Sequence, residues 1–137
     1  CDIQAGAYTL WHASRPFPPG TVHLAVVDPG VGGARRGLVL RACEALWVGP
    51  DNGLFHFALA DPAFEAFEIA ASELISGSVS STFHGRDVFA PIAAHLAKGV
   101  DPREVGPWGR ERMCHELKVL AAGFVHRQAK RSQQAIT

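Results

Sequence analysis

The chain has 137 residues, the size of one domain. Its 47% apolar and 19% charged residues exclude a disordered chain, a collagen-like repeat and a disulfide-stapled miniprotein. Thirteen basic residues balance thirteen acidic ones, so the whole chain offers no electrostatic footprint for nucleic acid, and no run of about 18 apolar residues is present to span a membrane.

In chain order, Ile3, Ala7, Leu10 and Trp11 share one face of a helix over about residues 2–13. The segment Pro16-Phe17-Pro18-Pro19-Gly20 ends it, because proline lacks an N–H and restricts the residue before it. Val22 to Val27 runs apolar almost without a break, which predicts a strand buried on both faces, as in a parallel sheet. Gly37 to Leu40 and Ala45 to Val48 read as short strands with a hairpin or loop between them. Asn52-Gly53 starts a turn into a short helix through Leu54 to Leu59, and Phe64 to Ile69 alternates like a strand. Ser80-Ser81-Thr82 supplies caps before a helix near residues 86–98, with Val88, Ile92 and Leu96 on one face and Gly99 at its end. Interleaved strands and helices predict an α/β fold with a mostly parallel sheet. Trp11, Trp47 and the phenylalanines are expected in its core.

The charge is uneven. Up to residue 109 there are seven basic and eleven acidic residues; from residue 110 on there are six and two. The shift follows the cluster Gly106-Pro107-Trp108-Gly109, which marks the expected boundary between a domain over 1–109 and a basic, helical tail over 110–137. Met113, Leu117, Leu120, Phe124 and Val125 form an apolar stripe in that tail. Cys1, Cys43 and Cys114 are odd in number with no Cys-x-x-Cys pair, which suits a reducing compartment and argues against thiolate-bound zinc. With no basic-then-apolar leader, the expected location is the cytoplasm. Cys1 opens the sequence within what reads as a helix, so a preceding segment is expected to have been lost.

Three polar loops follow predicted strands, where open α/β sheets bind ligands. In Asp28-Pro29-Gly30-Val31-Gly32-Gly33-Ala34-Arg35-Arg36, an acid, a glycine-rich bend and a returning arginine bring opposite charges together. Either the pair simply fixes a turn, or the loop binds a ligand; neither phosphate-loop motif is present. The residues alone do not choose between Arg35 and Arg36 as the inward arginine. Gly49-Pro50-Asp51-Asn52-Gly53 is a plain turn, or it uses the Asn52 amide to position a polar ligand. In Thr82-Phe83-His84-Gly85-Arg86-Asp87, His84 offers an imidazole at a helix start, or His84 and Asp87 cap that helix with Arg86 solvated. Asp28, Asp51, His84, Asp87 and His95 are residue types that bind divalent metals, but no H-x-x-x-H or H-x-x-E-H spacing supports a site, so no metal is expected. His12, His23, His56, His115 and His126 read as surface or satisfied histidines.

Together the segments Val22 to Gly32, Val48 to Leu54 and Ser81 to Pro91 resemble the S-adenosylmethionine hydroxide adenosyltransferases, the S-adenosylmethionine hydrolases related to the fluorinase and chlorinase. The resemblance runs over about residues 2–106 with these motifs in order. It implies a Rossmann-like α/β domain and attack of water or hydroxide on the ribose 5′ carbon of S-adenosylmethionine, releasing adenosine and methionine. It puts the family's Asp–Arg–His set on Asp28, Arg35 and His84, with Asp51, Asn52, Phe83 and Gly85 as substrate-binding positions. It implies no cofactor beyond the substrate itself, and a homotrimer. Asp28 and His84-Gly85 follow the hydrolase pattern rather than the halide pocket of the halogenating relatives. The family's N-terminal stretch, resembling T-D-F-G-x-x-D-x-Y-V-G, and its C-terminal β-barrel have no counterpart here, so the alternative expectation is an inactive remnant serving as a nucleoside-binding or interaction domain.

Overall fold

A computed structural model describes residues 2–75 and 77–110. The expected helical tail over 110–137 therefore lies, beyond Arg110, outside the described residues. The first helix, α1 (Ile3–Ser14), is capped by Asp2, whose carboxylate accepts the Ala5 N–H at 3.0 Å. Gly6 lets it sit close to the sheet: a methyl there would come within 2.8 Å of the Val27 side chain.

Four strands follow: β1 (Val22–Leu24), β2 (Gly37–Ala42), β3 (Ala45–Pro50) and β4 (Glu65–Glu68). Their spatial order is β1-β3-β2-β4. The α/β architecture is present, but the sheet is mixed rather than mostly parallel. β1 runs parallel to β3, whereas β2 is antiparallel to both β3 and β4. The reason lies in the Cys43-Glu44 turn. Two residues can join only antiparallel neighbours, and their φ values of 52° and 58° match the hairpin turn whose twist suits the flanking strands.

The expectation that Val22–Val27 is a doubly buried strand is also corrected. Among the described residues β1 is a three-residue edge strand paired with β3 alone, and Leu24 and Val26 are 44% and 42% exposed. The doubly buried strands are β2 and β3. Leu38, Leu40, Ala42 and Trp47 pack with Ala7, Leu54 and Phe55 under α1. Val39 and Val48, on the opposite face, pack with Phe67, Phe89, Ile92 and Leu96. The phenylalanines divide likewise: Phe55, Phe67 and Phe89 are fully buried, but Phe17 and Phe83 are exposed because their loops leave the packed layers.

The turn after Asn52 leads into a 3₁₀ helix (His56–Ala60). The later helix begins differently from the expectation: a π-turn over Gly85–Phe89 precedes α2 (Ala90–Ala97), and no side chain caps either start. Gly99, at φ +98°, ends it. A short helix, α3 (Pro102–Val105), is capped by Asp101, and Pro107–Gly109 then runs along β4 through the Glu68 N–H to Pro107 and the Gly109 N–H to Ala66.

Glu44 holds a left-handed conformation that costs a side-chain-bearing residue about 1–2 kcal/mol. Glu44→Gly is therefore expected to raise stability by up to about 1 kcal/mol, net of the added entropy of the unfolded glycine. Thermal and urea unfolding of the two chains would check the direction.

Candidate active site

All three polar loops meet at one edge of the sheet, the carboxyl ends of β1 and β3. The backbone of β1 continues upward, with the Ala25 N–H donating to Val48 O. Gly49 permits that closeness, since a methyl there would lie 2.2 Å from Ala25 O. Asn52 then fixes the end of the segment. Its side-chain amide donates to Val27 O at 2.7 Å, and its carbonyl accepts the Leu54 N–H at 3.2 Å. Asn52 thus shapes the loop that delivers Asp28, and both ends of its amide are engaged with backbone. Asp51 beside it is buried, its N–H donating to Arg36 O.

The loop over residues 28–36 crosses the top of β3 to reach β2. Arg35 returns to Asp28: its Nε donates to both carboxylate oxygens at 2.9 Å, and its Nη2 donates to Oδ2 as well. The Asp28 side chain is 4% exposed and that of Arg35 13%, so the pair is largely out of water. Arg36 points elsewhere, to Glu68 of β4 at 3.3 Å. Arg35, not Arg36, is the inward residue.

The Arg35 Nη2 also lies 2.9 Å from His84 Nδ1, across 49 residues of sequence. The face of Phe89 supports the same guanidinium, with the ring centroid 5.2 Å from its central carbon. Two features hold His84 there. Gly32, at φ +76°, lets the first loop touch the third: a methyl would lie 2.3 Å from Ser81 O. Asp87, almost wholly buried, accepts the Ser80 N–H at 2.8 Å and the Arg86 Nε at 2.6 Å. Asp87 therefore ties the start of the loop, at Ser80, to the π-turn that begins after His84, a conformation frequent at functional sites. Arg86, solvated in the helix-cap alternative, is exposed and also pairs with Asp87 and lies over the Phe83 ring at 4.9 Å.

The structure brings Asp28, Arg35 and His84 into one hydrogen-bonded set. Phe83 is exposed nearby, and Gly85 lies against Val26 with room for a methyl at ordinary contact distance. The sequence does not single out Gly32 or Phe89 as site residues, and it offers Asp87 only as a helix cap or one of five metal-binding residue types, not as the brace of this loop. The signal for Gly32 was its place in a glycine-rich loop; Phe89 carried none beyond its hydrophobicity. Among the described residues no three His, Cys, Asp or Glu side chains gather as metal ligands, and no helix is long and apolar enough to cross a membrane. A concavity of about 340 Å³ lies at the other end of the sheet, where Trp11, Phe17, His23, Cys43 and Trp47 line it. Burial there pushes His23 below the usual histidine range and the Cys43 thiol above its own.

The SAM hydroxide adenosyltransferase N-terminal domain is the family whose pattern matches residues 1–106. The chain belongs to this family. It is 49% identical over 108 residues to a Salinispora tropica protein named (R)-S-adenosyl-L-methionine hydrolase, covering 77% of this chain and 41% of that protein. A Thermus thermophilus protein of the same name is 48% identical over 116 residues, covering 77% of this chain and 44% of the relative. A fluorinase from an Actinoplanes species is 28% identical over 129 residues, covering 77% and 43%. Among solved structures, an uncharacterized conserved protein from Thermotoga maritima superposes with a TM-score of 0.75 at 40% identity, covering 79% of this chain and 43% of that one. The chain thus spans less than half the length of the relatives it matches.

Two outcomes follow from this geometry. Gly32→Ala is expected to cost about 1–3 kcal/mol, because it strains a left-handed residue against backbone that cannot yield; chemical denaturation would measure it. The Arg86 guanidinium, then the Ser80 N–H, hold the Asp87 carboxyl below its usual range. The stability from that lowering is complete above the ordinary carboxylate pKa and is lost as pH falls through the folded value. Urea midpoints taken from neutral to acid pH should fall, and Asp87→Asn should flatten part of that fall.

Proposed function

We propose that this chain carries the catalytic α/β part of an enzyme that hydrolyses S-adenosyl-L-methionine to adenosine and L-methionine. The observation that carries the reading is the convergence of Asp28, Arg35 and His84 from distant loops. It is supported by 46–49% identity to three relatives named for that hydrolysis, against 28% to a fluorinase. In this reading residues 1–109 form a partial catalytic domain and residues 110–137 a separate basic segment. The working protein is a cytoplasmic homotrimer that needs no cofactor and no metal.

The oxygen of water or hydroxide forms a bond to the ribose 5′ carbon as the carbon–sulfur bond breaks, its electron pair leaving with the methionine sulfur. With water as the source, one proton is released overall. The sulfonium is already a good leaving group, so the protein's work is to hold the oxygen in line and exclude competing solvent. Asp28 keeps Arg35 in place, Arg35 orients His84, and the imidazole faces the nucleophile. Asp51, Asn52, Phe83 and Gly85 form the substrate side, Asn52 by shaping the loop and exposed Phe83 by offering a ring face.

Incubating the purified chain with S-adenosylmethionine and following adenosine and methionine by chromatography tests the reading. Both products are expected in equal amounts, with turnover reduced about 10²–10³-fold in His84→Ala, the size of losing one positioned hydrogen-bond donor. A folded chain that yields no adenosine would overturn the assignment for this chain.

A further inference from the structure

The direction of the hydrogen bonds through Arg35 decides which nitrogen of His84 carries its proton. A guanidinium has only N–H donors and does not deprotonate in proteins. Arg35 Nη2 stands 2.9 Å from His84 Nδ1, so Nδ1 must present its lone pair. The neutral ring has one N–H, which then sits on Nε2. An imidazolium would set an Nδ1–H against the guanidinium N–H, with two like charges in contact. Asp28 accepts from Arg35 through both oxygens, and it is the guanidinium, not this carboxylate, that meets Nδ1. Asp87 accepts its hydrogen bonds from Arg86 and the Ser80 N–H and reaches His84 only through its charge, so it does not alter what Nδ1 must present to the guanidinium.

A carboxylate bonded directly to imidazole accepts Nδ1–H and leaves Nε2 as a base. Here the interposed arginine reverses the polarity: the carboxylate accepts from guanidinium, the guanidinium donates to Nδ1, and the ring's remaining proton faces outward. We infer that His84 acts as a hydrogen-bond donor through Nε2–H, with its tautomer set by Arg35, and that it is not the proton acceptor for the nucleophile. Its role toward the nucleophile rests on the hydrolase reading above. A donor at Nε2 holds hydroxide more strongly than water, since the more negative oxygen is the better acceptor. Water ionises to solvent before attack. The hydroxide then forms the O–C bond, the C–S electron pair passes to sulfur, and the hydroxide and sulfonium charges cancel, leaving no proton for the protein to take. Arg35 and Phe89 are positioning residues in this scheme: the first orients the ring, and the second supports the guanidinium.

Nitrogen NMR of the full chain labelled with ¹⁵N-histidine, at neutral pH, tests this without turnover. The His84 signals are assigned by their loss in His84→Gln. The expected pattern is a protonated Nε2 and a lone-pair Nδ1, shifting in Arg35→Met toward the averaged values of a ring that exchanges between tautomers. A protonated Nδ1, or an imidazolium, in the parent chain would overturn the inference. An unchanged tautomer in a folded Arg35→Met would overturn the role of Arg35. Should that variant not fold, the parent spectrum still decides the proton's place. A chain that makes no adenosine yet shows Nε2–H loses the hydrolase assignment and keeps the tautomer.

Discussion

The site depends on one guanidinium held largely out of water. Burying a charge is costly unless it is paired, and breaking a buried pair by removing one partner costs about 3–5 kcal/mol. Arg35 meets that requirement by donating to Asp28 through Nε and Nη2. Its Nη2 also reaches His84, and its flat face rests on Phe89. Four residues from two distant segments of the chain are therefore fixed by the electrostatic needs of a single side chain. A lysine there would supply a charge but neither the fork that spans carboxylate and imidazole nor the plane that stacks.

The scaffold delivers these groups through close backbone approaches. Gly49 lets β3 and the continuation of β1 come together, and Gly32 lets the first loop touch the third. The Asn52 amide and the Asp87 carboxylate then lock two of the three loops from within. Below them, a sheet buried on both faces keeps the strand ends in register, with Trp47 on one side and Val48 on the other. The concavity at the opposite end contains none of these groups. The chain spans under half the length of the relatives it matches.

Much of the site was legible in the sequence because its residues lie in short, compositionally unusual loops. Asp28 and Arg35 flank glycines, and His84 stands between Phe83 and Gly85 just before an apolar helical pattern. Their order and spacing matched a family pattern from which the same three positions could be taken. Less legible were Gly32, Asp87 and Phe89. One works by having no side chain, one by a contact to a backbone N–H, and one by lying under a guanidinium 54 positions earlier in the chain. None of these leaves a periodic signal.

Apolar periodicity by itself determined that α1 and α2 would be helices and that β2, β3 and β4 would be strands. These are local properties, set by which face of a few consecutive residues must leave water. Tertiary structure alone decided that the apolar run Val22–Val27 would supply only a short strand at the sheet edge, that β2 would run antiparallel, and that Arg35 rather than Arg36 would turn inward. Strand order depends on which distant segments pair, and the arginines differ only in what stands opposite them: Asp28 and His84 for one, Glu68 for the other. A pattern of residues records what must be buried; only the folded chain settles against what.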